Sequence, residues 1–133
     1  MVKKASAKAI GVGLIGCGNI SSIYLTNIPY SPDLELRAVA DMRPEVAEAQ
    51  GKKFSVEALP VDALLARDDI GIVVNLTIPA AHSAVSLAAL AAGKNVFSEK
   101  PLATDLALGR RVIEEAEARG LMIASLPIRI RHH

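Results

Sequence analysis

Gly16-Cys17-Gly18-Asn19-Ile20-Ser21 follows the apolar run Ala9 to Ile15, and Glu99-Lys100-Pro101 follows the shorter run Asn95 to Ser98. Both sit just past strand-like segments, where open α/β sheets bind their ligands. In the first stretch Gly16 permits a tight turn, and Gly18 keeps a Cβ out of the path of a phosphate. Asn19 and Ile20 then offer first-turn amides to a pyrophosphate. Ser21 stands where a third glycine is usual, and its small side chain still lets the next helix come near the strand. Asp41 ends the following strand-like run about twenty residues on, where a carboxylate accepts hydrogen bonds from ribose hydroxyls. A carboxylate there also repels the 2′-phosphate of NADP, which favours NAD. Arg43 could stack on adenine or meet that phosphate, so NADP stays open.

The second stretch offers proton chemistry. Lys100 could donate to a substrate hydroxyl or carbonyl beside a nicotinamide, and the charge of NAD+ together with desolvation lowers a lysine pKa towards neutrality. Glu99 could orient it or bind the nicotinamide ribose. The plainer reading of the tripeptide alone is a surface Glu-Lys pair before a proline. Thr77-Ile78-Pro79 lies after another strand, next to the point where strand order reverses, and would face the nicotinamide half of a dinucleotide. His82, in the first turn of the next helix, reads more simply as a solvent-facing or capping side chain. Cys17 reads as a spectator: a helix N-terminus lowers a thiol pKa, but no histidine or second cysteine partners it.

The elements that must hold these residues alternate between strand and helix, the pattern of a parallel sheet. Strands are expected at 9–15, 34–41, near 55–58, 71–76, 95–98 and 121–126. Helices are expected at 19–28 (stopped by Pro29), 44–53, 61–66, 80–92 and 104–119. Thr104 is the expected N-cap of the last helix, with Leu106, Ile113 and Ala116 on its buried face. Gly93 suits a left-handed helix cap, with Lys94 beside the negative end of the dipole, and Gly120 ends the last helix. Right-handed crossovers then give a doubly wound α/β fold with strand order 3-2-1-4-5-6.

Composition agrees. The chain has 133 residues, 51% hydrophobic but only 3% aromatic, so its core is built from Ala, Val, Ile and Leu. A net charge of +1 with scattered basic residues gives no electrostatic case for nucleic acid or an anionic membrane surface. The single cysteine fits a reducing cytoplasm, no metal-ligand cluster is apparent, and no run reaches the roughly twenty apolar residues of a membrane span. Leu14-Ile15-Gly16-Cys17 after Lys3, Lys4 and Lys8 would pass as a lipoprotein cleavage box. Gly11 and Gly13, however, dilute the apolar stretch, and the strand–turn–helix reading explains the same residues and the segment after them.

Four segments occur in order: Gly-Leu-Ile-Gly-Cys-Gly-Asn-Ile-Ser at 13–21, Ala-Val-Ala-Asp at 38–41, Val-Val-Asn-Leu-Thr-Ile-Pro-Ala-Ala-His at 73–82 and Ala-Gly-Lys-Asn-Val-Phe-Ser-Glu-Lys-Pro-Leu-Ala at 92–103. Together they resemble the amino-terminal, NAD(P)-binding half of the Gfo/Idh/MocA family, over roughly residues 8–126. The resemblance implies hydride transfer at a carbinol carbon of a sugar, cyclitol or related polyol. It implies that Gly16, Gly18, Asn19, Ile20 and Asp41 hold the cofactor, and Arg43 joins them by the reading above. Thr77, Ile78, Pro79 and His82 would line its nicotinamide side. Lys100 would be the active-site lysine, with Glu99 beside it and a Lys100–Pro101 bond that is cis in relatives. Family members carry a second domain with the substrate wall, the oligomer interface and an Asp/His pair. Residues 127–133 depart from the relatives' Ala-Pro-Asp-Thr. The expectation is a cofactor domain at 1–126 with a short tail, left by truncation or frameshift and inactive by itself. The alternatives are a non-catalytic dinucleotide-binding or interaction module and an apo scaffold, and an uncovered apolar face would favour self-association.

Overall fold

The computed structural model describes residues 9–18, 21–99 and 106–126, without the side chains of Pro79, Glu99, Leu106, Ser125 and Leu126. Six strands, β1 (Ile10–Ile15), β2 (Leu34–Ala40), β3 (Glu57–Ala58), β4 (Ile72–Asn75), β5 (Asn95–Glu99) and β6 (Ile123–Leu126), form one sheet. Its order is β3-β2-β1-β4-β5-β6, and every pairing is parallel. The helices are α1 (Ser21–Asn27), α2 (Pro44–Phe54), α3 (Val61–Leu65), α4 (Pro79–Ala91) and α5 (Leu106–Ala118).

Both faces of the sheet are covered, which is why β1 and β4 are almost continuously apolar. Val12, Leu14, Val39 and Val74 pack with Leu25 and Ala47 of α1 and α2. On the other face Ile15, Ala38, Val73 and Val96 pack with Leu64, Val85, Leu90 and Val112 of α3, α4 and α5. At Gly13 a Cβ would lie 2.6 Å from the Leu64 side chain, so α3 rests directly on β1.

Several expectations shift. Pro79 does not merely break β4: it opens α4 at the first helical position, where its missing N–H costs nothing. The chain after α1 tightens into a 3-10 turn, Ile28–Tyr30, that contains Pro29. The buried stripe of α5 is Val112 and Ala116, whereas Ile113 is 43% exposed. The expected stripe paired 113 with 116, but the i, i+4 pair 112 and 116 is the one facing the core. Gly93 takes the left-handed conformation (φ +82°). Lys94, by contrast, is buried, and its ammonium donates to the Arg67 carbonyl, 27 residues away in sequence, rather than standing free at the helix end. Thr104 lies outside the described residues.

Candidate functional site

The carboxyl ends of β1, β2 and β4 border a crevice of about 520 Å³. From the β1 side Gly16 and Gly18 line it, from β2 Asp41, Met42 and Arg43, from the β4–α4 turn Leu76, Thr77 and Ile78, and from α4 Ala81. Gly16 and Gly18 do different work. The Gly16 N–H donates to the Ala40 carbonyl at 2.8 Å, holding the turn against β2. Its φ is +102°, and a Cβ would meet the Leu76 carbonyl carbon at 2.6 Å and the Thr77 nitrogen at 2.8 Å. At Gly18 a Cβ would meet nothing within 4 Å. A loop left open in this way would let a pyrophosphate approach its backbone, and the fit of a dinucleotide rests on it. The turn closes on Ser21, whose N–H and Oγ–H both donate to the Gly18 carbonyl, at 3.0 and 2.6 Å. Gln50 of α2 donates to Ser21 Oγ at 2.9 Å, so the fully buried serine ties loop to helix as well as sparing space.

Asp41 follows β2 directly and is fixed by two backbone donors: Cys17 N–H to Oδ2 at 2.7 Å and Arg43 N–H to Oδ1 at 2.9 Å. Its carboxylate therefore clamps the glycine turn while bordering the crevice, a second role that its strand-end position did not reveal. The Arg43 guanidinium lies 3.6 Å from Oδ1, and its side chain is 68% exposed. Cys17 departs from the helix-terminus expectation. Burial, and then the Asp41 carboxylate, push its thiol up to about 12, and the thiol lies 3.3 Å from the Ala40 carbonyl oxygen. The shift is opposite in direction to the one a helix N-terminus would give. Iodoacetamide at pH 8 should modify Cys17 at least ~100-fold more slowly in the folded chain than after denaturation, since the thiolate is the nucleophile. Equal rates in a mass-spectrometric time course would contradict the buried placement.

At the end of β4, Asn75 is completely buried and bonded on both sides of its carboxamide. Nδ2 donates to the His82 carbonyl (2.9 Å) and Ser86 Oγ (2.8 Å), while Oδ1 accepts the Thr77 N–H (3.1 Å) and Oγ–H (2.6 Å). The strand pattern includes Asn75 but gives no sign of this role. Ile78 is 70% exposed and Met42 69%, so apolar side chains stand at both flanks of the crevice, ready to be covered. Sequence reasoning also misses Met42, for which the only signal is its place between Asp41 and Arg43. His82 is not solvent-facing: it is 5% exposed, with Nε2 3.3 Å from the Asn75 carbonyl oxygen. Its ring backs the β4–α4 turn from inside, because the first turn of α4 lies over the sheet.

Glu99 ends β5 one residue beyond the Asn75–Ser98 pair, at the same edge of the sheet. Asn19, Ile20, Lys100 and Pro101 lie outside the described residues. Among the described residues no group of three or more His, Cys, Asp or Glu could hold a metal ion, and no helix is long and apolar enough to cross a membrane.

Comparison with known proteins gives the geometry its context. Residues 10–126 match the oxidoreductase family with the NAD-binding Rossmann fold designated GFO_IDH_MocA. An inositol 2-dehydrogenase of Rhizobium meliloti (strain 1021) is 33% identical over 110 residues, 80% of this chain and 33% of that protein. The solved structure of GenD2 from gentamicin A biosynthesis, in complex with NAD, superposes with a TM-score of 0.84 at 28% identity, covering 94% of this chain and 37% of that one. KijD10, a 3-ketoreductase from Actinomadura kijaniata solved with NADP and TDP-benzene, gives a TM-score of 0.83 at 34% identity over 88% of this chain and 37% of its own. The chain thus spans little more than a third of the length of the relatives it matches. It belongs to the Gfo/Idh/MocA oxidoreductase family, with residues 10–126 forming the NAD-binding Rossmann fold.

Proposed function

We propose that this chain binds NAD in preference to NADP and forms the cofactor half of an oxidoreductase acting on a sugar, cyclitol or related polyol. The observation that carries the reading is the crevice in which the open side of Gly18 and the anchored Asp41 carboxylate face the same space. The amides that follow Cys17 in the turn, those of Gly18, Asn19 and Ile20, would hold the pyrophosphate, Asp41 the adenosine ribose, and Arg43 the adenine. Thr77, Ile78, Pro79 and His82 would shape the nicotinamide side, with Glu99 near its ribose. When bound, the nicotinamide supplies or accepts the hydride. Lys100 would hold the proton of the reacting hydroxyl on Nζ, and its ammonium would steady the developing charge on that oxygen. The inositol dehydrogenase and ketoreductase relatives support the substrate class.

Titration with NAD+ and NADP+ under thermal denaturation tests this. NAD+ at a hundred times its dissociation constant should add about 2.7 kcal/mol to folding stability. NADP+ should need a higher concentration for the same shift, because its 2′-phosphate meets the Asp41 carboxylate. No shift with either dinucleotide rejects the reading. A panel of sugars and inositols with NADH detection then separates an active protein from one that only binds.

A further inference from the structure

The β4–α4 turn has no extended strand pairing or helix of its own to fix it, yet three of its residues wall the crevice. From the structure we infer that Asn75 is a positioning residue for the nicotinamide half of the cofactor, acting through Thr77. The inference rests on the reading of the crevice as a dinucleotide site.

Asn75 stands where β4 ends, and its carboxamide works as a bracket. One end is pinned inside the protein: Nδ2 donates to the His82 carbonyl and to Ser86 Oγ, both on α4. The other end holds Thr77 two residues on, through its N–H at 3.1 Å and its hydroxyl at 2.6 Å. A side-chain oxygen accepting from the N–H two residues later imposes a turn, and asparagine does so more strongly than serine. The Asn75 side chain makes all four bonds with no exposure of its own to water. The amide of Leu76 is held separately by the Ile15 carbonyl at 2.8 Å. The segment between Leu76 and the start of α4 therefore takes its path from Asn75.

The direction of the effect comes from the sheet order. Asp41 follows β2, on one side of β1, and Thr77 follows β4, on the other. A dinucleotide laid across the β1 turn puts its adenosine towards Asp41 and its nicotinamide towards Thr77. Loosening the Thr77 turn should weaken contacts to the nicotinamide half alone. Asn75 would touch no part of the ligand. The bond from Thr77 Oγ1 also spends that hydroxyl's proton on Asn75, leaving the oxygen as an acceptor.

The test compares NAD+ with ADP-ribose, which lacks only the nicotinamide, on the full chain by isothermal titration. Asn75→Leu keeps the branched shape, in a larger side chain, and removes all four bonds. The expected result is at least a tenfold fall in the ratio of NAD+ to ADP-ribose affinity, with ADP-ribose binding held within about twofold. Asn75→Ser keeps a weaker form of the same turn and should lose about threefold in that ratio. If Asn75→Leu does not fold, Asn75→Ser alone decides. An unchanged ratio, or equal losses for both ligands, would mean Asn75 only supports the fold and overturns the inference. Failure of the unmutated chain to bind NAD+ would instead reject the proposed function.

Discussion

Gly16→Ala should cost the free chain about 2–6 kcal/mol of stability, through backbone strain and overpacking acting together. The φ of +102° lies in a region that L side chains rarely adopt, and holding a non-glycine residue there costs of order 1–3 kcal/mol. The added Cβ would also lie 2.6 Å from the Leu76 carbonyl carbon and 2.7 Å from its oxygen. These are backbone atoms of the neighbouring turn and cannot rotate aside, so overpacking adds roughly another 1–3 kcal/mol. Relief would require parting β1 from β4, whose register runs from Val12 opposite Ile72 to Ile15 opposite Asn75. Thermal denaturation without cofactor should show the midpoint falling by about 7 °C or more. A midpoint within about 2 °C of the unmutated chain would mean the turn is not built as described.

The contrast between what the sequence reveals and what it hides comes from how far apart the interacting groups lie along the chain. Continuous β-branched runs such as Ile72 to Val74, and punctuation by Pro44, Gly93 and Gly120, are local signals. They place every strand and the order 3-2-1-4-5-6. The glycine turn and Asp41 are legible because their spacing reflects one βαβ unit. The errors come from tertiary partners. Lys94 reaches the carbonyl of Arg67, 27 residues away, and Cys17 is shaped by Asp41, 24 residues away. His82 has a helix-start position that gives no sign of facing inward. Asn75 is hidden because a polar residue at the end of an apolar run looks like the strand's exit to solvent, whereas it is the bracket for the next turn. Ile113 is misplaced because Val112 and Ile113 are both apolar, and periodicity alone does not choose between adjacent residues.

Gly18→Ala is the complement of the Gly16 change and separates folding from binding. No heavy atom lies within 4 Å of the position its Cβ would take, and Gly18 has no φ in the strained positive range. The free chain should therefore be as stable as before, or firmer by up to about 1 kcal/mol because its unfolded state loses freedom. The methyl group would stand in open space on the crevice-lining loop proposed to cradle the pyrophosphate, where only a bare backbone lets oxygens approach the amides. A hundredfold weaker dissociation constant is the expected result. At the NAD+ concentration that stabilises the unmutated chain by about 2.7 kcal/mol, the variant would then gain only about 0.4 kcal/mol. Parallel thermal scans with and without NAD+ read both quantities in one experiment. An undiminished cofactor shift in Gly18→Ala would mean that the phosphates do not cross this turn. Loss of stability without cofactor would mean that the open side of Gly18 is filled by the protein itself.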